Sequence, residues 1–132
     1  WHQRSQQVQA KPGTRIYLAD TTGELTRLSQ VADIAFIGKS LPPHYAGQTP
    51  IEAASLGLPI LIGPKMSNFK DVSKSLIRSG AAQRVDDAEA LTHAILELSA
   101  APETRNTMAQ AGRTWHAANR GSSQRIASAI KA

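Results

Sequence analysis

Residues 40–52, Ser-Leu-Pro-Pro-His-Tyr-Ala-Gly-Gln-Thr-Pro-Ile-Glu, gather the side chains best placed to do chemistry. They follow an apolar run, Ile34-Ala35-Phe36-Ile37, that ends in Gly38-Lys39. An apolar run, a Gly/Pro-rich loop and then a helix start is the arrangement by which α/β proteins present backbone N–H groups to a phosphate. Thr49 suits an N-cap and Pro50 the first helical position, and Glu52 then completes a capping box. The group is either a well-capped helix and nothing more, or a ligand site at that helix's start. Lys39 is placed to reach a phosphate from the strand end, although a solvated lysine is an equal reading. Of the four histidines, His2, His44, His93 and His116, only His44 lies in this loop and is a cleft candidate. His93 and His116 fall in amphipathic helices and read as surface residues.

Several chemistries are excluded. Gly38-Lys39-Ser40 looks like the tail of a phosphate-binding P-loop, but that motif needs a glycine where Asp33 stands. It also needs a helix directly afterwards, which Leu41-Pro42-Pro43 forbids. The histidines show no metal-ligand spacing. There are no cysteines, so disulfides, thiolate zinc sites and cysteine nucleophiles are absent. No Gly-x-Ser-x-Gly elbow is present. The paired carboxylates Asp86-Asp87 sit at a helix start, where capping explains them. No catalytic residue is assigned: the chain reads as a binding half.

The elements that must hold this loop alternate. Residues 1–13 form a polar lead-in ending in the turn Lys11-Pro12-Gly13. A strand is expected over 15–18, then a helix from Glu24 with Leu25, Leu28 and Val31 on one face. Residues 34–37 read as a strand buried on both faces. A helix from Pro50 to about Leu56 is stopped by Gly57, and residues 59–62 form a third strand. A helix from about Asn68 to Ser79 follows, with Phe69, Val72, Leu76 and Ile77 inward and Gly80 as its stop. A strand over 82–85, a helix opened by Asp86-Asp87, another over about 102–116 and a final helix over 122–130 complete the order. Strand and helix alternating with short links imply a Rossmann-like parallel sheet with helices on both faces. Ligands then bind at the carboxyl ends of the strands, where residues 20–24, 38–49 and 63–68 lie. Gly23, Glu24 and Leu25 are either an acidic helix start or a backbone contact with ligand. Ser67 and Asn68 either cap the next helix or face the cleft.

At 132 residues, 41% hydrophobic and 19% charged, the chain reads as one globular domain, residues 1–132, with C-terminal helices from about 102. Its opening on Trp1 suggests a piece of something longer. No apolar run approaches a membrane span, and no signal-peptide pattern is seen. A net charge of +5 favours anionic partners. The basic residues are scattered and aromatics are 5%, so no nucleic-acid partner is expected.

Asp20-Thr21-Thr22-Gly23-Glu24-Leu25, the run from Ala32 to Ser40, and Gly47-Gln48-Thr49-Pro50-Ile51-Glu52-Ala53-Ala54 together resemble the C-terminal half of the 3-deoxy-D-manno-octulosonic acid (Kdo) transferases. Gly63-Pro64 and Asn68-Phe69 add to the resemblance, and order and spacing fit from about Tyr17 onward. These are inverting glycosyltransferases of the two-domain GT-B type, which move Kdo from CMP-Kdo to lipid A precursor at the cytoplasmic face of the bacterial inner membrane. The resemblance implies that Gly23, Glu24 and Leu25 match a loop contacting the cytosine nucleotide. Gly38, Lys39 and Ser40 match a Gly-Gly-Ser at the donor phosphate and sugar, with Gln48 beside them. Thr49, Pro50 and Glu52 match an Asn-Pro-x-Glu motif whose Glu faces the ribose. Lys39 replaces the second glycine, Thr49 replaces the Asn, and 42–48 lacks the common double glycine. The resemblance implies no cofactor and no metal, with CMP-Kdo as donor substrate. The general base belongs to an N-terminal domain outside this chain, so the chain alone is expected to be inactive. An anionic membrane surface is a further expected partner. A GT-B domain for another nucleotide sugar, such as a UDP-sugar, and a non-catalytic α/β binding module are the alternatives.

Overall fold

A computed structural model of the chain describes residues 1–120. The helix expected over 122–130 lies outside the described residues. The chain divides into two compact units, Trp1–Val31 and a second from Ala32 onward, taken here one at a time.

In the first unit, β1 (His2–Gln3) pairs in parallel with β2 (Tyr17–Leu18). The segment expected as a polar lead-in therefore supplies a strand. Sheet pairing uses backbone groups, so two polar residues suffice where their side chains find partners. His2 is buried, its ring 5.1 Å from that of Tyr17. The expected inward face of the first helix is not formed. α1 (Leu25–Ser29) has five residues, little more than one turn, and Val31 lies beyond its end. Leu25 and Val31 are exposed and Leu28 is half-buried.

The second unit holds a three-stranded parallel sheet in the order β3 (Ala35–Phe36), β4 (Ile60–Ile62), β5 (Ala82–Arg84). Successive side chains on the central strand β4 point to opposite faces. Ile60 and Ile62 pack with Ala54 of α2 (Ile51–Ser55) and Leu76 of α3 (Lys70–Ser79). Leu61 packs with Ala94 and Leu98 of α4 (Ala88–Ala100) and Met108 of α5 (Pro102–Asn119). All three β4 residues are at most 1% exposed, so this strand is covered on both faces as expected. β3 departs from that expectation. It is an edge strand of the sheet, Phe36 is exposed and Ile34 and Ala35 are half-buried.

Local signals set the boundaries. Gly80, at φ 85°, ends α3 through its N–H to the Ile77 and Leu76 carbonyls. Asp87 caps α4 by accepting from the Ala90 N–H at 2.7 Å, as expected, whereas Asp86 pairs with Arg84 instead. Of the residues expected on the inner face of α3, Leu76 is buried, Phe69 and Val72 pack at the core margin, and Ile77 is exposed. No described helix is long and apolar enough to cross a membrane.

Candidate functional site

At the carboxyl end of β3 the chain enters a loop closed at its neck by two backbone bonds. Gly47 N–H donates to Lys39 O at 3.0 Å and Gln48 N–H donates to Gly38 O at 3.1 Å. Lys39 takes φ 59°, the left-handed region that glycine occupies at little cost and other residues rarely enter. The position where the resemblance implies a glycine thus has the backbone a glycine would favour. The peptide between Pro42 and Pro43 at the far end of the loop is cis.

Ser40 joins this loop to the end of β4. Its hydroxyl donates to Ile37 O at 2.5 Å and accepts from Gly63 N–H at 2.9 Å, and its carbonyl accepts from Lys65 N–H at 2.9 Å. The side chain is fully buried and committed to the scaffold. Gly63 has to be a glycine, because a Cβ there would stand 2.2 Å from Ser40 O and 2.5 Å from Ser40 C. Three more hydrogen bonds strap 63–68 to the first loop. Ser67 donates to Tyr45 O from its N–H (3.2 Å) and its hydroxyl (2.8 Å), and Asn68 N–H donates to Ala46 O (3.3 Å). Gly47 lies so close to the buried Met66 that a Cβ would meet its sulfur at 2.2 Å.

The result is a crease at the carboxyl ends of β3 and β4 formed by 38–49, 63–68 and the first turn of α2. Gly38, Lys39, Gln48 and Thr49 are exposed at its neck and Glu52 is half-buried on that turn. Ser67 and Asn68 are exposed beside Tyr45 and Ala46, while His44 is exposed at the outer turn, its N–H bonded to Leu41 O. The capping box expected of Thr49 and Glu52 takes another form. α2 begins at Ile51, Pro50 stands buried in the cap position, and Thr49 Oγ1 accepts from the Ile51 N–H at 3.3 Å. Pro50 has no N–H to cap and takes the cap position itself, so Thr49 reaches only the next donor along. Lys39 and Gln48 can donate to an anion, and Glu52 can accept from hydroxyl groups.

Gly23, Glu24 and Leu25 belong to the first unit. Glu24 is gripped by Arg4 at 3.1 and 3.2 Å and by the Thr21 hydroxyl. The Thr21 hydrogen bond first, and then Arg4, hold its carboxyl below the usual range. The Ser5 hydroxyl, and then the Gln3 amide, bring neighbouring Asp20 down to about 2.

At the carboxyl ends of β4 and β5, Tyr45 and residues 63–67 of the predicted loops also line a cavity of about 370 Å³, whose walls from α3 and β5 sequence reasoning missed. Lys65, Lys70, Lys74 and Arg84 line it with Tyr45 and Ile77, and of the predicted site residues only Ser67 reaches it. Lys70, Lys74 and Ile77 share one helical face by their spacing, a signal the sequence carried. Lys65 and Arg84 join them only through the sheet.

No family model matches the chain. A 3-deoxy-D-manno-octulosonic acid transferase of Bordetella pertussis is 38% identical over 120 residues, 91% of this chain and 28% of that protein. One of Haemophilus influenzae is 32% identical over 119 residues, 89% of this chain and 28% of that protein. The chain thus spans little more than a quarter of the length of these curated relatives. The crystal structure of the C-terminal CMP-Kdo binding domain of WaaA from Acinetobacter baumannii superposes with a TM-score of 0.81 at 27% identity. The match covers 86% of this chain and 59% of that one. The α/β chain is therefore a relative of the 3-deoxy-D-manno-octulosonic acid transferases, matching the C-terminal, CMP-Kdo binding part of that GT-B family.

Proposed function

We infer that this chain is the donor-binding part of a glycosyltransferase that moves Kdo from CMP-Kdo to lipid A precursor, with the 38–52 crease holding the donor. The observation that carries this reading is the match to a CMP-Kdo binding domain over 86% of this chain. In that role Lys39 and the Gln48 amide meet the donor phosphate, and the Glu52 carboxylate accepts from ribose hydroxyls. The reaction is a displacement. An acceptor hydroxyl, deprotonated by a carboxylate outside this chain, attacks the anomeric carbon of Kdo as the bond to the CMP phosphate breaks. The phosphate leaves as an anion, and the cation of Lys39 stabilises the charge that develops there. The base lies elsewhere, so the chain alone binds nucleotide and catalyses nothing. The work belongs at the inner membrane, where the net charge of +5 suits an anionic lipid surface.

Glu52→Gln tests the reading. CMP affinity should fall roughly tenfold or more, the worth of a hydrogen bond to a charged group, while surface-level stability changes stay within about 0.5 kcal/mol. Unchanged CMP affinity would remove Glu52 from the ribose site.

A further inference from the structure

The cavity between the 63–67 segment, α3 and the end of β5 carries charge that stability does not explain. Lys70 and Lys74 stand four residues apart on α3, a like-charge spacing that weakens a helix. Lys65 joins them from the loop, its Nζ 5.3 Å from the centre of the Tyr45 ring. Arg84 comes from the end of β5, with Nε bonded to Asp86 Oδ1 at 2.6 Å. One of the four cations is thus neutralised and three lysines remain. No carboxylate lines the cavity, and neither Lys70 nor Lys74 has an ion-pair partner among the described residues. Beneath this rim the walls are apolar: Ile62, Pro64, Met66 and Ile77. The Ser73 hydroxyl, buried on the same wall, is already spent on Phe69 O at 2.7 Å. A cavity of about 370 Å³ lies within the size range of small-molecule sites, and apolar walls with a few convergent charges are how such sites are built.

We propose that this cavity, which shares Tyr45 and the 63–67 segment with the donor crease but not its neck at 38–39 and 48–52, is a second anion site that takes a phosphate monoester. The phosphate meets Lys65, Lys70 and Lys74, and the carbon body lies against Ile62, Pro64 and Ile77. A lysine is a point charge with rotatable donors, so three of them converge on a phosphate without a fixed fork geometry. The ester is borne either by a soluble metabolite or by a lipid headgroup, and the two sources share this chemistry.

The test is a titration of the 132-residue chain with phenyl phosphate, followed by backbone amide shifts, and in parallel with phosphatidylcholine vesicles with and without phosphatidic acid. Lys70→Gln/Lys74→Gln keeps the helix and relieves repulsion, so its melting should not fall. The expected result is phenyl phosphate shifts at Lys65, Lys70, Lys74 and Arg84, with affinity at least ~tenfold weaker in the double variant. CMP shifts at 38–52 should be retained in that variant. Vesicle binding that needs both phosphatidic acid and the two lysines assigns the lipid source, and phenyl phosphate binding alone assigns the soluble one. Equal phenyl phosphate affinity in parent and variant, or shifts confined to 38–52, overturns the second site. Loss of CMP binding with phenyl phosphate binding intact would refute the donor reading and leave this one standing.

Discussion

Gly63→Ala probes the junction that holds the crease together. The new Cβ would lie 2.2 Å from Ser40 O and 2.5 Å from Ser40 C, both main-chain atoms of a fully buried residue. No rotamer change relieves that, so the loop after β3 has to move away from the end of β4. Forced repacking of this kind costs about 1–3 kcal/mol. The movement also breaks Gly63 N–H to Ser40 Oγ and Lys65 N–H to Ser40 O, each worth about 1 kcal/mol. The sum, about 3–5 kcal/mol, is a large fraction of the roughly 5–15 kcal/mol that holds a domain folded. Thermal unfolding followed by far-ultraviolet circular dichroism should show the midpoint falling by roughly 10–20 °C. Ser40→Ala leaves space but strips two buried main-chain groups of their partner, at about 1–3 kcal/mol. It should not rescue Gly63→Ala, because the clash is with backbone rather than hydroxyl. A Gly63→Ala midpoint within about 2 °C of the parent would mean that the loop is not locked to β4 through Ser40.

Lys39→Gly should stabilise the second unit or leave it unchanged. The left-handed φ of 59° costs a lysine about 1–2 kcal/mol, whereas glycine loses about 0.4–1 kcal/mol through its freer unfolded chain. Denaturant unfolding measures the balance, and a clear loss of stability would contradict the strain at Lys39. Asp20, held at about 2 by Ser5 and Gln3, is depressed below its unfolded value near 3.8. Its contribution to the first unit is therefore present above about pH 4 and is lost as pH falls through about 2. A carboxyl-carbon NMR titration of Asp20 should give a midpoint near 2 and a higher midpoint, still below 3.8, in Ser5→Ala, where the Gln3 amide and the Ser5 N–H remain, and an ordinary midpoint in the parent would refute the hydrogen-bonded cluster.

The parts legible in the sequence were those where one residue type answers one backbone demand. Pro59-Ile60-Leu61-Ile62 had no polar face to expose, so a central buried strand was its natural place, and β4 is at most 1% exposed. Gly80 and Asp87 act where their local chemistry said they would. His2-Gln3 was opaque because a two-residue parallel pairing leaves no periodicity to read. Ser40 was legible as part of the loop but not as its clasp, since the donor its hydroxyl accepts from, Gly63 N–H just after β4, is more than twenty residues away. The cationic cavity was hidden for the same reason. Only the β4–β5 pairing brings Arg84 toward a loop and helix whose lysines look solvated when read along the chain.

The central claim, that the 38–52 crease holds a cytidine nucleotide, is tested most directly by titrating the chain with CMP and UMP while following backbone amides. The account predicts saturable shifts at Gly38, Lys39, Gln48, Thr49 and Glu52, with CMP preferred. Shifts with UMP preferred would keep the crease and contradict the Kdo donor. Silence of those amides with both nucleotides at saturating concentration would contradict the site itself.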